Sequence, residues 1–147
     1  MDIKSTLQSD LKDALRHGEE IRKSTLRMAL SAIKLAEVEK GAHMDEAAYL
    51  GIIQKEIKVR REAIADAERA NRPKLVAQAE EEMKILQSYL PAAFSQEELE
   101  SMVREAIVEA GATSIREMGK VMKILMPRLQ GRATGDQASQ VVRRLLQ

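Results

Sequence analysis

Apolar residues recur along this chain at spacings of three and four almost from end to end, the period of amphipathic helices. Ile3, Leu7, Leu11, Ala14 and Leu15 predict a first helix that stops at His17-Gly18, because glycine takes the left-handed conformation that closes helices. Ile21, Thr25, Met28, Ala32 and Leu35 predict a second, running to Lys40 and ended by Gly41. Asp45 is placed to cap a third, which buries Tyr49, Ile52, Ile53, Ile57 and Ile64. The break at Asn71-Arg72-Pro73 opens a fourth, with Asn71 as its cap and the proline in its first turn. Its inward positions are Leu75, Val76, Ala79, Met83, Leu86 and Leu90. Pro91 terminates it, since the residue before a proline is pushed out of the helical region.

Beyond Pro91 the helices become shorter, and each is opened by a hydroxyl residue followed three positions later by Glu or Gln. Ser95 with Glu98, Ser114 with Glu117 and Thr134 with Gln137 all have the form of capping boxes. Helix five uses Leu99, Met102, Val103, Ala106 and Ile107 and ends at Gly111. Helix six uses Ile115, Met118, Met122 and Leu125, with Pro127 limiting or kinking it, and helix seven uses Ala138, Val141, Val142, Leu145 and Leu146. The expected fold is all-α: an N-terminal unit of about four helices over residues 1–92, the linker Pro91-Ala92-Ala93-Phe94, and a compact three-helix unit over residues 95–147.

Composition agrees with that pattern. Aromatics are only 2% of the residues and apolar residues 44%, so the core must be aliphatic. Unbranched aliphatic side chains lose little rotamer freedom in helices, whereas strands favour aromatic and β-branched ones. Cysteine is absent, which removes disulfides, thiolate nucleophiles and cysteine metal sites. The N-terminal stretch lacks the apolar run of a secretory signal, and no segment approaches the ~18 apolar residues of a membrane span. These features lead to the expectation of a cytoplasmic protein with no membrane contact.

Most catalytic templates find no match. His17, next to Gly18, and His43, two residues after Gly41, both fall in expected turns and have no metal spacing, and no glycine-rich phosphate loop exists. Acidic runs such as Glu80-Glu81-Glu82 read as solvated helix faces. No catalytic residue, metal site or cofactor is therefore expected. Two basic clusters remain. Lys55, Lys58, Arg60 and Arg61 lie in the third helix, near Arg22, Lys23 and Arg27 of the second, and Glu56 with Arg60 reads as ordinary surface helix support. The second cluster lies nearer the C-terminus. Net charge is +1 for the whole chain, but from Arg116 to Gln147 seven basic residues face only Glu117 and Asp136, a local +5. Lys120, Lys123, Arg128, Gly131, Arg132, Arg143 and Arg144 form the candidate RNA-binding set. Phosphate contacts come from such cations and from helix N-termini, here the start of helix seven. An equally good reading of the same residues is helix capping with solubilising charge.

Several blocks of sequence resemble the GatB/YqeY family. They are Gly111 to Met122, the Gly131-Arg132-Ala133 turn, and Val141-Val142-Arg143-Arg144-Leu145-Leu146. Upstream, Gln54 to Arg61 and Glu82-Met83-Lys84-Ile85-Leu86-Gln87-Ser88-Tyr89-Leu90-Pro91 join them. The resemblance covers nearly the whole chain and is to the stand-alone members. It implies a helical protein related to the C-terminal tail of GatB in the tRNA-dependent amidotransferase, a carbon–nitrogen ligase with glutamine as amido-N-donor. In that enzyme the tail holds tRNA while amide transfer occurs elsewhere. By that likeness the tRNA-facing turn falls at Gly131, Arg132 and Ala133, with Lys120 nearby, and Thr134-Gly135-Asp136 departs from the expected cap. Three functions follow as expectations. The first is a non-catalytic accessory module that binds tRNA or another RNA. The second is a protein-interaction module docking on an amidotransferase or another enzyme, and the third is family-level ligase activity.

Overall fold

A computed structural model describes residues 2–41 and 44–147; the expected turn residue His43 lies outside them. The described residues form seven α-helices and one 3-10 turn, an all-α fold. The chain divides into two compact units, Met1–Leu90 and Pro91–Gln147.

The first unit holds α1 (Ile3–His17), α2 (Glu20–Lys40), α3 (Glu46–Arg69) and α4 (Pro73–Gln87). The Asp2 carboxylate accepts from the Ser5 amide at 2.7 Å and opens α1, and Gly18 closes it at φ 66°. Asp45 caps α3 in the same way, through the Ala48 amide at 2.9 Å. Leu7, Leu26, Ile33, Ile53 and Leu86 are fully buried and bring all four helices to one core. Each such side chain contributes about 1.5–3 kcal/mol by leaving water.

Polar side chains fasten these helices across their faces. Glu37 of α2 accepts from Lys4 of α1 and from the Tyr49 hydroxyl of α3, each at 3.0 Å. The Lys4 ammonium, and then the Tyr49 hydroxyl, hold its carboxyl below the usual range. The Tyr89 hydroxyl donates to Asp10, and burial followed by that bond pushes its pKa well up.

Several expected positions differ. Met28 and Leu35 are exposed, and α2 turns Leu26, Ala29 and Ile33 inward instead. Apolar side chains lie on both faces of that helix, so periodicity alone offers two registers. Leu75 is also exposed, and Asn71 sits at φ 55° before the actual cap position, Arg72. Helix α4 ends at Gln87, ahead of Pro91. Arg60 is 4% exposed rather than on the surface. Its guanidinium donates to Glu56, approaches Glu82 of α4 at 3.7 Å, and lies 3.5 Å from the Met28 sulfur.

The second unit holds α5 (Gln96–Ala110), a 3-10 turn (Ile115–Glu117), α6 (Met118–Leu129) and α7 (Gly135–Leu146). Val103, Val121, Leu125, Ala138 and Val142 are fully buried and form the centre of a wholly apolar core. Of the three expected capping boxes, Thr134 with Gln137 forms with both hydrogen bonds present. Ser95 accepts from the Glu98 amide as a simple cap. Ser114 caps nothing. Glu117 instead accepts from the amide and hydroxyl of Thr113, both at 3.2 Å, and the chain passes through the 3-10 turn before α6 begins. Pro127 sits inside the last turns of α6, and Gln130 at φ 47° ends the helix.

Candidate nucleic-acid interface

Helix α6 commits Val121, Leu125 and Leu129 to the core. Lys120 and Lys123, three residues apart, share its exposed side. On α7, Val141 and Val142 turn inward while Arg143 and Arg144 turn out. The amphipathic pattern of each helix thus places its cations on the unit's surface.

The structure separates the six cations of the expected set into two groups, with Gly131 apart from both. Arg128 pairs with Glu109 at 2.7 Å, Arg144 hydrogen-bonds Glu100, and Arg132 lies 3.4 Å from Glu98. All three acids belong to α5. The bond from Arg144, and then that from Gln96, keeps the Glu100 carboxyl below its ordinary range. Lys120, Lys123 and Arg143 form no salt bridge among the described residues. Gly131, at φ 78°, supplies the left-handed turn between α6 and Arg132, with its own interactions made.

Arg132 does more than pair with an acid. Its Nε donates to the Ala92 carbonyl at 2.8 Å, and its own carbonyl accepts from the Phe94 amide at 2.9 Å. The guanidinium lies 4.1 Å from the Phe94 ring centroid, a cation–π contact. Residues of the expected linker are therefore bound to the turn between α6 and α7. Phe94, the one phenylalanine of the chain, is covered on that face by Arg132.

The start of α7 is largely provided for. Thr134 satisfies the Gln137 amide at 3.0 Å, and Asp136 puts a carboxylate in the first turn, where the helix dipole would otherwise attract an external anion. The described residues contain no group of three His, Asp or Glu side chains arranged to hold a metal. His17 Nδ1 lies 2.9 Å from the Asp13 carbonyl oxygen at the end of α1. No described helix is long and apolar enough to cross a membrane.

What the sequence reading missed is the role of α5. Counting charge from Arg116 onward leaves out Glu98, Glu100 and Glu109, which fold back onto the same unit. The near-neutral balance of residues 95–147 is the signal that could have shown it. Arg60 also had a signal: with Ile53, Ile57 and Ile64 it falls on the inward spacing of α3.

An all-helical chain with an exposed cationic surface on its smaller second unit defines a helical module. Residues 4–146 match the family described as Yqey-like protein. The chain belongs to this YqeY-like family. It is 38% identical over 95 residues to the "Altered inheritance of mitochondria protein 41, mitochondrial" of Vanderwaltozyma polyspora, covering 62% of this chain and 51% of the relative. The protein of that name from Lachancea thermotolerans is 34% identical over 113 residues, covering 74% and 60%. The one from Pyrenophora tritici-repentis is 30% identical over 135 residues, covering 89% and 73%. The chain thus spans between half and three fifths of the length of the first two relatives.

These names correct the expectation of a cytoplasmic protein, because the relatives are mitochondrial by name. The physical reason for the error is plain. Lack of cysteine and of an apolar run fits any aqueous, reducing compartment and does not distinguish among them.

Proposed function

We propose that the chain is a non-catalytic accessory module whose C-terminal unit contacts the phosphate backbone of tRNA or another structured RNA. The observation that carries this reading is the exposure of Lys120, Lys123 and Arg143 with no carboxylate of the described residues bound to them. Cations already paired in the folded state gain little from a phosphate, whereas these three exchange only water and counterions. Arg128, Arg132 and Arg144 act as secondary contacts, reached when phosphate displaces an exposed carboxylate; such surface pairs are worth only about 0–1 kcal/mol. The Gly131-Arg132 turn then sets the closest backbone approach.

With no aromatic face open beside the cations, recognition rests on charge and shape rather than base stacking. The experiment is a titration of the purified chain against bulk tRNA at two salt concentrations. Binding is expected to be saturable and to weaken steeply with salt. K120A/K123A/R143A should weaken it about tenfold or more and flatten the salt dependence, by roughly one unit of slope per lost contact. Unchanged affinity in that variant overturns the assignment of this face. Amide transfer from glutamine onto mischarged tRNA by the purified chain overturns the non-catalytic part.

A further inference from the structure

Two glycines lie inside helices where nothing within the fold calls for them. A Cβ on Gly51 of α3 or on Gly119 of α6 would meet nothing within 4 Å, whereas one on Gly135 would press on the Met126 side chain at 3.3 Å. Neither Gly51 nor Gly119 has a positive φ. Glycine in a helix is less stable than alanine, so packing and backbone conformation leave both choices unexplained.

Their surroundings differ. The positions three and four away from Gly51 are Ala47, Ala48, Gln54 and Lys55. Gly119 has Arg116 three residues before it, Lys123 four after it and Lys120 beside it. The 3-10 turn keeps Arg116 on this side, because residues three apart line up there. All three cations are exposed and form no salt bridge among the described residues.

Arg143 adds a fourth from α7. The approach of Gly135 to Met126 marks where α6 and α7 meet after the Gly131 turn, and α7 continues back to the 3-10 turn that precedes α6. From that meeting point, equal distances along the two helices lead to Gly119 and to Val142. Val142 turns inward, and Arg143 stands exposed beside it. Acids are few on this face. Between Gly111 and Asp136 the one acid is Glu117, whose carboxylate accepts from Thr113. Asp136 opens α7 at the end away from Arg143. Glu109, with Glu105 one turn from it, belongs to the Arg128 end of α6, more than two turns from Gly119.

We propose that Gly119 seats the sugar–phosphate backbone of a paired RNA stem, with Arg116, Lys120, Lys123 and Arg143 around it. This deepens the RNA reading above and rests on it, but it needs bare helix backbone at Gly119 as well as surface charge. The seat lies at the opposite end of α6 from the Gly131-Arg132 turn, so the helix meets its ligand at both ends. Any side chain at position 119 would lift the strand away from the cations. Single strands gain affinity by stacking on aromatic rings, and no aromatic residue follows Phe94. A paired stem offers phosphates, 2′-hydroxyls and a fixed shape instead.

The test uses the full chain with bulk tRNA, a synthetic hairpin stem and a single-stranded RNA of equal length. The stem should bind about fivefold or more tighter than the single strand. Gly119→Leu should weaken tRNA and stem binding by about tenfold, and Gly119→Ala by a smaller factor. Neither removes a cation, so the slope of affinity against salt should stay as in the natural chain, whereas Arg116→Ala should lower it by about one unit. Gly51→Leu should leave RNA binding unchanged. Gly119→Ala should raise the melting temperature, since alanine is the better helix former, so its weaker binding is not a loss of fold. Full affinity in Gly119→Leu, an equal loss in Gly51→Leu, or a single strand that binds as tightly as the stem overturns the proposal. If K120A/K123A/R143A loses tRNA while Gly119→Leu keeps it, this inference alone falls. If the natural chain binds no tRNA or stem, the RNA reading falls and takes this inference with it.

Discussion

In the N-terminal unit the strongest polar contacts run between helices and away from solvent, whereas in the C-terminal unit they lie on the outside of a wholly apolar core. Arg60 shows the first arrangement. It has two carboxylate neighbours, Glu56 and Glu82, both more than four-fifths buried. Arg144 with Glu100 and Arg128 with Glu109 show the second: these arginines are 55% and 40% exposed, against 5% for Arg60. The two kinds of pair have similar geometry but different energetic weight, because water screens one and not the other. The first unit therefore uses charge to fix how its helices sit. The second keeps charge that a ligand can recruit without disturbing the fold.

The largest effect should come from removing the buried cation. Arg60→Ala strands two carboxylates and should destabilise the chain by about 3–5 kcal/mol, while Arg144→Ala should cost no more than about 1 kcal/mol. Urea unfolding followed by tyrosine fluorescence, whose reporters Tyr49 and Tyr89 both lie in the first unit, together with circular dichroism for the whole chain, measures both. Equal losses in the two variants would erase the distinction between the units.

A smaller contrast lies within the second unit. Thr134→Ala removes a complete capping box and should cost about 1 kcal/mol. Ser114→Ala should change stability by less than about 0.5 kcal/mol, because Ser114 accepts no capping bond. Thermal denaturation of the two variants side by side checks the ranking, and a reversed order would mean that the sequence signature outweighs the geometry.

The smallest effect concerns acid. Glu37 and Glu100 both bind protons more weakly when folded than their ordinary value of 4.5. Their contribution is thus complete above that value and is lost as pH falls through the lower folded one. Glu37→Gln should flatten the acid side of the stability curve of the first unit, and Glu100→Gln that of the second. The Glu37 effect should be the larger, since it holds two other helices while Glu100 holds an exposed arginine. Melting temperatures between pH 3 and 6 compare them, and identical flattening would sink that ranking.

Much of this architecture was legible in the chain. The 3–4 spacing located every helix, and Gly18, Asp45, Gly111 and Thr134 marked ends that the structure keeps. These are local effects: a left-handed glycine or a capping hydroxyl acts within one turn and needs no distant partner. Family membership was legible for a related reason, since order and spacing of blocks survive where no single site stands out. The basic face was legible as composition but not as geometry. The six cations of the set looked alike in sequence, yet three are held by α5 or by the linker and three stand clear.

By itself the sequence determined an all-α fold, its helix ends and its aliphatic cores, because periodicity and capping are properties of neighbours along the chain. Tertiary structure decided which face of α2 turns inward, that Arg60 is buried, and which cations lack carboxylates. Each of those depends on side chains brought together from helices many residues apart. Burial and pairing energies belong to such meetings rather than to residue types.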